Sequence, residues 1–154
     1  MKRILIITVL LSSICSFAQV GIGTTTPRST LEINGNLSVK HVTIAGIVGA
    51  PAPIDDGVYI SVSPTVNDQE FQLPDADDHP GRIYIIRNIQ DTINADIILS
   101  TDDTLAGVLF FAGDSSTGFA GPVNMDSGLG GGHRTKTLIF ISDGSNWTYG
   151  ILGF

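Results

Sequence analysis

Several short runs in this chain are apolar at every position, and no helical periodicity accompanies them. The four clearest are Ile83-Tyr84-Ile85-Ile86, Ile97-Ile98-Leu99, Val108-Leu109-Phe110-Phe111 and Leu138-Ile139-Phe140-Ile141. Because successive side chains of a β-strand point to opposite faces, each of these strands is apolar on both sides of its sheet. This property restricts the chain to β architectures in which both faces of a sheet are covered.

Turn signals rich in Gly, Pro, Asn and Asp separate nine predicted strands. The strands are 30–33, 37–48, 58–62, 70–73, 83–87, 96–100, 108–111, 137–142 and 147–152. Asn34-Gly35 predicts a two-residue hairpin, Asp143-Gly144 a tight reversal, and Pro51-Ala52-Pro53 a break in any strand. We predict no helix after residue 18. The predicted fold class is all-β, with a short extended stalk followed by a β-sandwich or jelly-roll-like head.

The apolar runs need more cover than one small domain supplies. A single β-domain has one interior, so a strand that is apolar on both faces needs a second apolar neighbour. We expect other copies of the same chain to provide it. The alternative is an ordinary monomeric sandwich whose core strands are continuous apolar runs. The sequence leaves both interpretations open.

The first 18 residues have the features of a secretory signal peptide. Two basic residues follow the initiator Met, and residues 4–14 are mostly apolar but too short to span a bilayer. Ser16-Phe17-Ala18 places small residues where signal peptidase requires them, which predicts cleavage between Ala18 and Gln19. We therefore expect an exported protein in the periplasm, at the outer surface or outside the cell, with no transmembrane segment in the mature chain.

Charge and cysteine content exclude several partners. The net charge of −7 disfavours nucleic-acid binding, because an acidic surface repels phosphate backbones. The single cysteine, Cys15, lies inside the predicted signal peptide, so the mature chain has no thiol for a disulfide or a thiolate metal site.

A short membrane anchor and a lipoprotein modified at Cys15 are the alternatives to cleavage. We expect no cofactor.

Residues 112–134 form a long Gly-rich segment between two apolar strands, and it includes the run Gly130-Gly131-Gly132. A loop of this length is either functional or mobile. We expect it to be the most variable surface of the molecule and the region that contacts glycans or another surface protein.

Two groups of motifs resemble known families. The first group consists of Val20-Gly21-Ile22-Gly23-Thr24-Thr25-Thr26-Pro27, followed by Leu31-Glu32-Ile33-Asn34-Gly35-Asn36. It resembles the start of many secreted proteins of the Bacteroidetes and the stalk segments of phage tail-fibre-type proteins. The second group consists of Phe71-Gln72-Leu73-Pro74-Asp75-Ala76, Pro80-Gly81-Arg82-Ile83-Tyr84-Ile85-Ile86-Arg87-Asn88, Asp103-Thr104-Leu105-Ala106-Gly107 and Ser142-Asp143-Gly144-Ser145-Asn146-Trp147. These segments resemble a tail-fibre-like β head.

The resemblance implies a homotrimeric, elongated β assembly without catalysis. The expected organisation is a signal peptide over 1–18, an extended stalk or linker over 19–57, and a head domain over 58–154. A thin stalk cannot bury its own apolar side chains. The side chains expected to meet their symmetry mates are Ile22, Leu31, Ile33, Leu37 and Val39.

The expected function is that of a secreted or cell-surface structural or adhesion protein. The alternative is a monomeric carbohydrate-binding module, in which Trp147, Tyr149, Tyr84 and Tyr59 stack on sugar rings. A second interpretation of Trp147 is that it anchors the end of the sheet behind the Asp143-Gly144 turn.

One acidic cluster is a candidate cation site. In Asp75-Ala76-Asp77-Asp78-His79, the carboxylates of Asp75, Asp77 and Asp78 have the oxygen ligands that Ca²⁺ prefers. The spacing is not that of an EF-hand, so a solvated turn is the competing interpretation.

We expect no catalytic residues. Gly113-Asp114-Ser115 resembles the start of one esterase class but does not open an α/β domain. A triad of Ser115, His133 and an aspartate requires the Gly-rich segment to fold back on itself. No phosphate-binding glycine loop precedes a predicted helix.

Overall fold

The computed structural model describes residues 19–128 and 132–152, and these residues form a β protein with one short α-helix and one 3-10 helical turn, Arg134–Lys136. The all-β prediction is therefore confirmed. The predicted signal peptide lies outside the described residues. The chain divides into two units between Ser38 and Val39. The predicted stalk ended at residue 57, whereas residues 39–57 belong to the same unit as the remainder of the chain.

The N-terminal unit contains one parallel pair of short strands. Strand β1 (Val20–Ile22) pairs with β2 (Leu31–Ile33), and Val20 lies opposite Leu31. Asn34 extends this pairing, because its backbone N–H donates to the Ile22 carbonyl at 2.9 Å and its Nδ2 donates to the Gly23 carbonyl at 3.3 Å. The hairpin predicted at Asn34-Gly35 is therefore wrong: Asn34 bonds to β1 instead of reversing the chain.

Two sheets form the second unit. The large sheet has seven strands, β3 (His41–Ala45), β5 (Tyr59–Ser63), β7 (Ile83–Asn88), β9 (Phe110–Ala112), β10 (Gly118–Phe119), β12 (Thr137–Ser142) and β13 (Trp147–Ile151), in the order β10-β9-β13-β12-β7-β5-β3. The small sheet has four strands, β4 (Ala52–Pro53), β6 (Gln69–Gln72), β8 (Ala95–Ile98) and β11 (Val123–Met125), in the order β11-β8-β6-β4.

From β3 to β8 the chain alternates between the two sheets, one strand at a time. Within each sheet the successive strands are parallel neighbours, β3-β5-β7 in one and β4-β6-β8 in the other. Tyr59 pairs with Ile85 and Phe71 with Ile97, the same offset of 26 residues in both sheets. The preceding coil is shorter, with offsets of 18 residues from His41 to Tyr59 and 19 from Ala52 to Phe71. Parallel strands that follow one another in each sheet are typical of a solenoid, in which each coil stacks on the one before it. The jelly-roll alternative is wrong, because jelly-roll sheets are antiparallel.

The later strands close the two sheets. Strand β12 is antiparallel to both β7 and β13, and β9 runs parallel to β13. The Asp143-Gly144 reversal between β12 and β13 is confirmed: Asp143 Oδ1 accepts the backbone N–H groups of Ser145 and Asn146 at 2.8 and 2.7 Å. Gly144 has φ 88°, a left-handed conformation that glycine adopts without strain.

Two local predictions are corrected by the small sheet. Ala52 and Pro53 do not break a strand but pair in parallel with Phe71 and Gln72. Strand β4 lies at the edge of its sheet, a position where proline's missing N–H is tolerated. The predicted loop at 112–134 contains β10 and β11, so it contributes a strand to each sheet.

A helix that the sequence analysis excluded lies between β8 and β9. Helix α1 (Thr101–Ala106) begins after Ser100, whose hydroxyl accepts the Asp103 N–H at 2.9 Å, and ends at Gly107 with φ 78°. Ser at the N-cap and Gly after the last turn are ordinary helix signals, but six residues are too few for a visible apolar periodicity.

One hydrophobic core lies between the two sheets. It contains residues of both, among them Ile60, Tyr84 and Phe140 from the large sheet and Phe71 and Ile97 from the small one, all 0 % exposed. Asn88 is also fully buried and ties the sheets together, because its Nδ2 donates to the carbonyls of Ile93 and Met125 at 2.8 and 3.2 Å. The second unit therefore has a single core with a satisfied polar bridge.

Candidate functional site

Part of the outer face of the large sheet is apolar, as the two-faced strands predict. In β7 and β12, Tyr84, Ile86, Leu138 and Phe140 are buried in the core. The alternate residues of the same strands point away from the core. These outward residues are Ile83, Ile85, Arg87, Thr137, Ile139 and Ile141.

Strand register gathers the outward apolar side chains into one area, which we call the apolar strip. Ile141 lies opposite Ile83, and Ile139 lies opposite Ile85, which is itself opposite Tyr59. Phe111 lies two strands from Ile141, on β9, with the exposed Thr148 of β13 between them. The apolar strip comprises Tyr59, Ile83, Ile85, Phe111, Ile139 and Ile141.

Much of the apolar strip faces solvent. Ile83 is 43 % exposed and Ile141 is 39 % exposed, and the other four members are partly exposed. Gly150 lies beside Ile139, and Gly118 lies under the ring of Phe111, where a Cβ would be 2.7 Å from Phe111 Cζ. Gly150 adds no side chain of its own, so the surface is open there to the close approach of another apolar group, whereas the Phe111 ring and the Leu109 side chain fill the space over Gly118.

The apolar strip ends in polar groups towards β3. A hydrogen bond of 2.9 Å joins His41 Nε2 to Ser61 Oγ, and the His41 ring lies 5.2 Å from the ring of Tyr59. Arg87 and Thr137 face outward in the next row of the sheet. The apolar area therefore has a polar rim, as protein interfaces commonly do.

The outer face of the small sheet, which we call the small-sheet face, has a different composition. Glu70, Asp96 and Asn124 form one row across it. Asn124 Nδ2 donates to Asp96 Oδ1 at 2.7 Å and to Asp68 Oδ1 at 3.3 Å. Gln72 and Ile98 form the next row, and Ile98 is only partly exposed. This face is suited to water.

The N-terminal unit also presents apolar side chains. Val20, Ile22 and Leu31 are each 55 % exposed, Leu37 is 63 % exposed, and Ile33 is partly buried. Two paired strands have little capacity to bury such groups.

The four aromatic residues proposed to stack on sugars do not form one platform. Trp147 and Tyr84 are 0 % exposed, so neither ring offers a face to a ligand. Their centroids lie 6.0 Å apart within the core, which confirms the interpretation of Trp147 as an anchor at the end of the sheet. Tyr59 belongs to the apolar strip, and Tyr149 points to the opposite side of the sheet, where it borders a cavity.

The structure does not gather the proposed calcium ligands. Among residues 19–128 and 132–152, no group of three or more His, Cys, Asp or Glu side chains is placed to hold a metal ion. Asp75 accepts a hydrogen bond from the Ser100 hydroxyl, while Asp77 and Asp78 are exposed in a turn. The arrangement is that of a solvated turn.

Ser115 and His133, the residues of the candidate triad, form hydrogen bonds to other residues. Ser115 Oγ accepts the Thr117 N–H at 3.1 Å. His133 Nδ1 is hydrogen-bonded to Thr135 Oγ1 at 2.9 Å, and its Nε2 lies 3.7 Å from Asp126 Oδ2. Within the described part of the chain, no hydrogen bond joins Ser115 to His133.

A buried carboxyl group that sequence reasoning missed lies on α1. Asp103 is 3 % exposed, and both of its carboxylate oxygens accept the Ala76 N–H at 3.1 Å. Burial raises the pKa of Asp103 above its ordinary value; the Ala76 N–H and the nearby Trp147 indole oppose this rise, while the charges of Asp75 and Asp77 add to it. Its position at the third residue after Ser100 could have indicated a capping role but not its burial.

No family model, curated protein or solved structure matches this chain. In the part of the chain that the structure describes, no helix has the length and apolar character needed to cross a bilayer.

Proposed function

We propose that this chain is an exported, non-enzymatic protein that assembles with copies of itself into a β-rich trimer and has a structural or adhesive role at or beyond the cell surface. The observation that carries the proposal is the apolar strip. It is an apolar area on the neighbouring strands β5, β7 and β12, with Phe111 of β9 beyond the exposed Thr148 of β13, and two of its isoleucines are about 40 % exposed.

The energetics favour covering this surface. Complete burial of an isoleucine side chain is worth roughly 1.5–3 kcal/mol relative to exposure, and the apolar strip has six large side chains that are only partly buried. A monomer leaves a substantial part of that free energy unrealised. Association through the strip recovers it on every copy, and the polar rim near His41 and Arg87 limits the area that must be covered.

The N-terminal unit supports the same proposal independently. Val20, Ile22, Leu31 and Leu37 are all more than half exposed, and an isolated two-stranded sheet is marginal in water. Packing three copies about a common axis would bury these residues against one another. The number three comes from the resemblance to tail-fibre-type stalks and heads, which form homotrimers.

Export is proposed from the N-terminal sequence. The basic start, the short apolar segment and the small residues before Gln19 are the features of a cleaved signal peptide. An assembly of this kind at the surface would present its remaining faces to glycans or to another surface protein.

Matched lysine substitutions test self-association. Ile141→Lys places a charge within the apolar strip, and Ile98→Lys places the same charge on the small-sheet face. Both side chains face outward, so the long lysine stem can lie along the sheet with its ammonium group in water. We expect Ile141→Lys to weaken association by on the order of 100-fold, because an unpaired charge in a closed interface is costly. Ile98→Lys should leave association unchanged.

Multi-angle light scattering at matched concentrations provides the measurement, and the far-UV circular dichroism of each variant provides the check on folding. Equal behaviour of the two folded variants would contradict the proposed interface. If both stay trimeric, association uses another surface, and if both become monomers, the loss is not specific to the apolar strip.

A further inference from the structure

A cavity opens between the two sheets at the end where β10 and β11 form their edges, and we call it the end cavity. Its volume is about 640 Å³. It lies between the β9, β10, β12 and β13 end of the large sheet and β11 of the small one. This size lies within the range of small-molecule sites, about 300–1,000 Å³.

The interior of the end cavity is apolar. Val123 and Leu138, which are buried core residues, contribute to its walls together with Pro122 and Ile151. Phe119 and Tyr149 line it with aromatic rings whose centroids lie 6.1 Å apart at 75° to each other. Two rings at this angle form a corner, in which a third ring can stack on one and meet the edge of the other.

Few side-chain polar groups line the end cavity. Among its described lining residues Asp114 is the only charged one, and its carboxylate makes no hydrogen bond to another described residue. Asn124 borders the cavity, but its side chain lies on the small-sheet face, where its Nδ2 donates to Asp68 and Asp96. The Thr135 hydroxyl is already bonded to the Asp126 N–H and to His133. None of the described lining residues is basic.

We propose that the end cavity binds a small molecule consisting of an apolar ring with a protonated amine. The ring packs in the corner of Phe119 and Tyr149, and the ammonium group donates to the Asp114 carboxylate. An anionic ligand is disfavoured, because Asp114 is negative and no basic side chain among the described lining residues compensates its charge. A sugar is disfavoured, because its several hydroxyls would find few partners among Val123, Leu138 and Ile151.

Three matched probes separate the contributions of ring and charge. Benzylamine, benzyl alcohol and benzoate share the ring and differ in charge, and methyl α-glucoside tests the sugar. Binding to the purified chain is followed by ¹H–¹⁵N chemical shifts of the lining residues Gly113, Gly150 and Ile151. We expect saturable shifts with benzylamine, about tenfold weaker binding of benzyl alcohol, and still weaker binding of benzoate.

Two variants and a control make the assignment specific. Asp114→Asn should reduce the affinity for benzylamine to that for benzyl alcohol, whereas Asp102→Asn, which removes an exposed carboxylate from α1, should leave it unchanged. Phe119→Ala should weaken benzylamine and benzyl alcohol together. Unshifted amides elsewhere in the spectrum show that each variant is folded.

Four results would overturn the proposal: no saturable shift of the lining amides at millimolar benzylamine, benzoate binding as tightly as benzylamine, saturation by methyl α-glucoside alone, or equal effects of Asp114→Asn and Asp102→Asn. None of these results depends on whether the chain is a trimer, since the mass of each sample is measured separately.

Discussion

The two sheets share one core, but their outer faces differ in chemistry. The small-sheet face has Glu70, Asp96 and Asn124 in one row, with Asn124 donating to Asp96 at 2.7 Å. The corresponding face of the large sheet has isoleucines on neighbouring strands, and Ile83 and Ile141 are about 40 % exposed. Since both faces belong to the same unit, the need for an apolar core does not explain the difference. We infer that the large sheet has a second partner and that the small sheet faces water.

The comparison also separates protomer stability from assembly. Polar contacts on the small-sheet face and the buried groups of the core should determine the free energy of unfolding of one chain. The apolar strip should determine association. Variants of each region are expected to change one quantity and leave the other unchanged.

After the matched lysine variants, the largest effect should come from Asn124→Leu. Asp96 is only 9 % exposed, and this change removes the amide that donates to its carboxylate. The loss of that donor should lower the free energy of unfolding by about 1–2 kcal/mol. Urea denaturation measures it, with Glu70→Gln, an exposed position in the same row, as the control that changes little. A change in the oligomeric mass of Asn124→Leu would contradict the expectation that the small-sheet face affects stability but not association.

A smaller effect should appear in the pH dependence of unfolding. Burial raises the pKa of Asp103 in the folded chain above its unfolded value near 3.8, so the folded state holds this proton more tightly. The stabilisation from Asp103 is therefore complete below that unfolded value and is lost as the pH rises through the folded pKa.

Asp103→Asn removes this titration. Its unfolding free energy should fall less than that of the wild type as the pH rises above about 4. Asp102→Asn, at the neighbouring exposed position, should follow the wild type. Parallel curves for the wild type and Asp103→Asn would show that the buried carboxyl does not contribute to the pH dependence.

Short-range patterns in the sequence predicted the strands well. β12 matches the predicted strand 137–142, and the reversal at Asp143-Gly144 is present. These features depend on residues close together in the chain. The same kind of pattern predicted the outward apolar residues of β7 and β12, because alternation along a strand assigns Ile83 and Ile141 to the face opposite Tyr84 and Phe140.

Features that depend on distant residues were not predicted. The parallel coils require Tyr59 to find Ile85 and Phe71 to find Ile97, and no local signal indicates such pairings. Strands β10 and β11 are short and lie in a Gly-rich segment. Asn34-Gly35 has the composition of a hairpin, but hydrogen bonds to β1 override it.

The roles of the candidate site residues also depend on distant residues, so the local sequence did not predict them. An aromatic residue such as Trp147 is suited to a core or to a ligand, and only the register that places it beside Phe110 and Ser142 in the sheet decides for the core. The sequence indicates Asp114 only as part of an esterase-like motif. Its position at the end cavity depends on β9, β11 and β13 meeting there, which the local sequence does not specify.

Sedimentation equilibrium of the purified chain at micromolar concentration decides whether the chain self-associates. We predict a single species with three times the mass of one chain, because the apolar strip and the exposed residues of β1 and β2 are covered by other copies. A species with the mass of one chain over the whole concentration range would contradict it.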